Sequence, residues 1–92
     1  MIVRISSEGQ YRVEDTHKVR LGQLDEAVRV AADHADEARF MDSFAALLDY
    51  VRSNGERLAD DDLEGSDIIL PPPDMSLAEA QVEFTGEGLI PD

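Results

Sequence analysis

Apolar residues recur along this chain with two different periods, and the change of period outlines the fold. In Met1–Ile5 the β-branched Ile2, Val3 and Ile5 favour a strand. Ser6-Ser7-Glu8-Gly9 reads as a turn, and Gln10–Val13 resumes with Tyr11 and Val13 on one face, which predicts a β-hairpin. The period then lengthens. Leu21, Leu24, Val28, Ala31 and Ala35 follow one another at steps of three and four, one stripe of a helix that Asp15 or Thr16 can cap. A second stripe runs through Met41, Phe44, Leu48 and Val51, widened by Phe40 and Leu47, and Gly55 is its expected stop. Between the stripes, Asp33-His34-Ala35-Asp36 is polar enough to turn, with Asp36 placed to cap the second helix. Two amphipathic helices on so short a connection pack antiparallel.

Beyond Gly55 the signals are shorter. Leu58–Asp67 is an acidic connection, and Ile68-Ile69-Leu70 is a short third strand expected to pair with the hairpin. Pro71-Pro72-Pro73 ends it, because proline cannot donate to a ladder. Ser76 with Glu79 three residues later forms a capping-box signature for a last helix, on which Leu77, Ala80 and Phe84 share a face. Gly86 and Gly88 end that helix, and Leu89 and Ile90 lie near the terminus. The pattern predicts an α+β fold in a single domain over residues 1–92.

Charge changes the picture more than composition does. The formal net charge is −13 on 92 residues, with no cysteine. It is unevenly spread: residues 1–55 carry seven basic and ten acidic side chains, whereas residues 56–92 carry one and eleven. Such a surface repels nucleic-acid phosphates and anionic lipid, so neither is an expected direct partner, and a basic protein is. An acidic surface that merely keeps the domain in solution, or one that mimics DNA, competes with that reading. No apolar run approaches the roughly 20 residues that span a bilayer, and Met1–Ile5, broken by Arg4, is too short for a signal peptide. A soluble cytoplasmic chain is expected, with no membrane insertion; homo-oligomerisation is left open.

Little in the chain points to reaction chemistry. Asp60, Asp62, Glu64 and Gly65 match the opening of a calcium-binding EF-hand loop. The bidentate twelfth position is Pro71 and the apolar eighth is Asp67, so the match fails where coordination is decided. His17 and His34 are distant on one predicted helix and read as surface residues; no third nitrogen or sulfur ligand accompanies them. Serines are present without a nucleophile elbow, and the glycines are too scattered for a phosphate cradle. No cofactor and no enzymatic activity are expected.

Three segments in order, Glu8-Gly9-Gln10-Tyr11, Ser66-Asp67 leading to Leu70-Pro71-Pro72, and Gly88-Leu89-Ile90-Pro91, resemble the bacterial PspA-associated protein family. The resemblance runs through nearly the whole chain. It departs at Phe84-Thr85-Gly86, where continuous helix formers would be expected, which leaves the length of the last helix open. It implies a small cytoplasmic partner of phage-shock-protein-A-type proteins, coiled-coil assemblies that maintain the inner membrane under envelope stress. The implied role is accessory or regulatory, with recruitment to the membrane through the partner. Asp60, Asp61, Asp62, Glu64 and Asp67 are the candidate steering acids, and Leu89 and Ile90 the candidate apolar contacts. In the competing reading Leu70, Phe84, Leu89 and Ile90 are buried and only complete the fold. The alternative function is an acidic adaptor or inhibitor that sequesters another basic protein, such as a DNA-binding regulator.

Overall fold

A computed structural model describes residues 1–61 and 64–83. Strands β1 (Ile2–Ile5) and β2 (Gly9–Arg12) form the expected antiparallel hairpin. A single tight turn at residues 15–17 leads into α1 (Lys18–Asp33), and α2 (Glu37–Asn54) follows after three residues. Next come β3 (Glu56–Arg57), β4 (Ile68–Leu70) and α3 (Leu77–Glu83). The sheet order is β3-β2-β1-β4. β4 pairs parallel with β1, Arg4 opposite Ile69, so the third strand does join the hairpin. The two-residue β3 beside β2 was not anticipated: Glu56-Arg57 is too short and too charged to show a period.

Alternation along the strands places Val3, Ile5, Tyr11, Val13, Ile68 and Leu70 on one face, and all are buried in one core with the helices. α1 contributes Leu21, Val28, Ala31 and Ala32; α2 contributes Phe40, Phe44, Leu47, Leu48 and Val51. Met75 and Ala80 close the end of this core next to α3. The capping box forms in full. The Glu79 N–H donates to Ser76 Oγ at 3.2 Å, and Glu79 Oε1 accepts from the Ser76 N–H at 3.2 Å. Gln81 Nε2 then donates to the Ala32 carbonyl at 3.3 Å, tying α3 to the end of α1.

Four local expectations are corrected. Asp15 and Thr16 do not cap α1. Both lie inside the preceding turn, and the Asp15 carboxylate faces the Met1 amine at 3.3 Å. Ala35 leaves the apolar stripe because it ends the helix instead: its φ is 51°, and the N–H groups of Asp36 and Ala35 donate back to the carbonyls of Ala31 and Ala32. This is a Schellman closure with alanine where glycine is usual. Ala35→Gly is therefore expected to raise the unfolding free energy by about 1 kcal/mol, read from the urea midpoint. Met41 stands at the margin of the α2 stripe and is 62% exposed. His17 is half-buried, its Nδ1 2.7 Å from the Tyr50 hydroxyl and its ring edge-on to that phenol.

Two expected caps and stops hold, one for an unexpected reason. Asp36 accepts from the Arg39 N–H at 3.1 Å and starts α2. Gly55 follows α2 with an ordinary φ of −99°, so left-handed freedom is not what it supplies. A Cβ there would lie 2.7 Å from the Val51 carbonyl and 3.0 Å from Tyr11 Cβ. The absent side chain lets the end of α2 lie directly on β2.

Candidate interaction surface

The acidic connection between β3 and β4 is fastened by residues that the hairpin supplies. Gln10 faces away from the helices on β2, and its backbone carbonyl accepts from the Leu58 N–H at 2.9 Å. Its side-chain amide donates to the Glu64 carbonyl at 2.9 Å and to Ser66 Oγ at 2.8 Å. One glutamine thus holds both ends of the loop. Arg12, two residues on and on the same face, pairs with the Glu64 carboxylate. Arg57 approaches Asp60 at 3.7 Å, a weak contact because Asp60 is 95% exposed.

The candidate acids therefore separate. Asp60 and Asp61 project into solvent, and Glu64 is about half exposed beside Arg12. Asp67 is exposed as well, but its carboxylate is engaged by the fold: its Oδ2 accepts from the Ile2 N–H at 2.7 Å, and its own N–H donates to the Ile2 carbonyl at 2.9 Å. Asp67 starts the parallel β1–β4 pairing, a role that spacing alone could not reveal. Asp67→Ala is expected to lower stability by about 1–2 kcal/mol, the worth of a charge-assisted bond to a backbone amide. Asp61→Lys should leave the denaturant midpoint within experimental error. Asp62, Leu89 and Ile90 lie outside the described residues, as do Phe84, Gly86 and Gly88. Leu70 is fully buried, as the fold-completing reading required.

Sequence reasoning missed the polar knot at the hairpin turn. Ser7, with φ 65°, and Gly9, with φ 153°, swing Glu8 towards the end of α2. There Glu8 accepts from Arg52 Nε at 2.9 Å and from the Tyr11 hydroxyl at 2.7 Å. The Arg52 guanidinium holds the Glu8 carboxyl down at about 2, with burial opposing and the Tyr11 hydroxyl assisting. The same contacts act in reverse on the partners. Burial and the Glu8 carboxylate raise Tyr11, and Glu8 raises Arg52. Arg57 Nη2 donates to the Glu8 carbonyl at 2.8 Å and sits so close that a Cβ on Gly9 would meet it at 2.9 Å. Glu8, Gly9, Gln10 and Tyr11, singled out by the sequence as one motif, thus each make a separate contact that joins the hairpin to α2, β3 or the acidic loop.

A different kind of surface lies between α1 and α2. An open groove of about 650 Å³ is lined by Ala27, Val30, Ala31 and Ser43, with Glu26, Asp36, Arg39 and Asp42 among its polar residues. Among the described residues no group of three or more His, Asp or Glu side chains could hold a metal ion, and no helix is long and apolar enough to cross a membrane.

The comparisons with known proteins give one match. No curated protein and no solved structure searched is similar to this chain. A family described as PspA-Associated protein matches residues 1–92, the whole sequence. The three segments around Glu8, Asp67 and Leu89 belong to that match, and on it the chain belongs to the PspA-associated protein family.

Proposed function

We propose that this chain is a non-catalytic accessory protein that binds a PspA-type protein in the bacterial envelope stress response. The family match over the full sequence is the observation that carries this reading, since the family takes its description from that association. The charge distribution adds the physical mode. Asp60, Asp61 and Glu64 sit on a loop whose ends Gln10 fastens to the sheet, so acids of one sign are presented from a fixed base, and Asp62 belongs to the same acidic run in the sequence. Opposite charge on a partner accelerates encounter and sets orientation more than it adds affinity. A net charge of −13 keeps the chain off anionic lipid, so recruitment to the inner membrane runs through the partner.

The test is sedimentation of the chain with the PspA-type protein of its own source at low and high salt. A complex that weakens with salt is expected. Reversing Asp60, Asp61 and Glu64 together to lysine should weaken it by roughly tenfold at low salt and flatten the salt dependence. The absence of a complex at either salt, with both proteins folded, overturns the proposal. The acidic adaptor of another basic protein, favoured by the same charge, then takes its place.

A further inference from the structure

We infer that the groove between α1 and α2 is a docking seat for one amphipathic helix of the partner, carrying small apolar side chains flanked by lysine or arginine. The inference rests on the proposed association and names the surface and the kind of partner segment for it. The sheet covers one side of the helix pair, and Val3, Ile5, Tyr11 and Leu70 are buried with the inward helix residues. On the groove side Ala27 is exposed and Val30 is 39% exposed, with Ser43 opposite them on α2.

The shape suits a helix. The seam runs along α1 from Gln23 to His34, about 17 Å or three turns at 1.5 Å per residue. Alanine and serine along it allow the close axial approach, about 8–10 Å, at which helix ridges enter grooves. A partner helix would present anchors at i, i+3 or i+4, and i+7, the usual pattern of helix-in-groove recognition.

The charge at the rim selects the sign of that helix. Glu26, Asp36 and Asp42 border the groove against the single arginine Arg39. Glu26 already pairs with Arg29, and Asp36 with Arg39 at 3.4 Å. Asp42 is exposed and makes no ion pair among the described residues. A second copy of this chain is the wrong occupant: two-fold packing would set the same acidic rims against each other on partners of −13 each. A helix with basic flanks meets the acids and covers the apolar floor.

The experiment measures binding of the full chain to the PspA-type protein of its own source by titration calorimetry. It compares Ala27→Gln/Val30→Gln, Asp42→Lys, and the loop reversal Asp60→Lys/Asp61→Lys, after thermal melts establish that each variant is folded. Both groove residues are exposed on a helix, and glutamine is a good helix former, so the fold should persist. The expected result is at least a tenfold loss of affinity for the double glutamine variant at both low and high salt. Asp42→Lys should lose several-fold at low salt only. Wild-type binding by both groove variants, with loss on loop reversal, overturns the inference and leaves the proposed function standing.

If the wild-type chain does not bind that protein, the proposed function fails, and the groove is tested by itself. A synthetic 18-residue amphipathic helix of leucine, alanine and lysine is then titrated into isotope-labelled chain. Amide shifts confined to Gln23, Ala27, Val30 and Ser43 support the seat; shifts elsewhere, or none, overturn it. A dimer in light scattering that Ala27→Gln/Val30→Gln dissolves would make the occupant a second copy and overturn the basic-helix assignment.

Discussion

Replacing Phe40 with alanine is expected to remove about 3–5 kcal/mol of unfolding free energy, the cost of truncating a buried aromatic side chain. Phe40 is 2% exposed on the first turns of α2, and its ring stacks on Phe44 with centroids 5.6 Å apart and planes 13° apart. Truncation removes a large apolar surface and leaves a cavity in the shared core, which closes only in part. Domains of this length have total stabilities of roughly 5–14 kcal/mol. The variant is therefore left marginal or unfolded at 37 °C. The check is a urea titration followed by far-ultraviolet circular dichroism, with Met41→Ala as the comparison. Met41 lies on the same turn at 62% exposure and should change the midpoint little. Equal effects from the two would mean that the helix packs on a different face.

The second large effect is tied to pH. The Glu8 carboxyl is held at about 2, below the ordinary value near 4.5, chiefly by the Arg52 guanidinium. A carboxyl depressed in the folded state stabilises the fold when ionised. Its contribution is complete above its unfolded pKa and is lost as pH falls from about 4.5 to 2. The pair sits at the solvent edge, with Glu8 20% and Arg52 34% exposed, so screening reduces the contribution to about 1–2 kcal/mol. Glu8→Gln should lower the unfolding free energy at pH 7 by that amount and converge with the wild type near pH 2. Difference measurements are needed, because acidifying a chain of −13 also relieves repulsion among its other carboxylates. A constant gap between variant and wild type across that window would assign the loss to packing and remove the electrostatic account.

Most of the fold was legible from local pattern. Period-two and period-3.6 stripes located both strands of the hairpin, both long helices and the strand at Ile68–Leu70. Each such element is specified by which of its own residues must leave water. The Ser76–Glu79 box and the Asp36 cap were legible for a similar reason: the donors and acceptors lie within one turn of each other. Two failures followed from the same locality. Ala35 continued the α1 stripe on paper, yet it takes the left-handed position that lets Asp36 reach back to Ala31. Asp25, three residues before Val28 on the buried face of α1, is only 3% exposed, and a hydrophobic count passes over it.

The candidate interaction residues show where local reading stops. Asp60, Asp61 and Asp67 look alike in a run of acids and all three are exposed, yet of these only Asp67 accepts from a backbone amide 65 residues away in sequence. The Glu8-Gly9-Gln10-Tyr11 motif was visible as a pattern, but its partners Arg52, Arg57, Glu64 and Ser66 are distant in the chain. The groove beside Ala27 and Ser43 was not visible at all, because it exists only once α1 and α2 lie side by side.

By itself, then, the sequence determined the hairpin, the two long helices, the strand at Ile68–Leu70 and the start of the last helix, most of their buried faces, the acidity of residues 56–92 and the family. Those properties depend on near neighbours, on composition and on the order of short motifs. The tertiary structure alone decided which acids project, which one pins β4 to β1, and that the helix pair leaves a seam open. Those depend on hydrogen bonds and packing between segments far apart in the chain, which no period along it encodes.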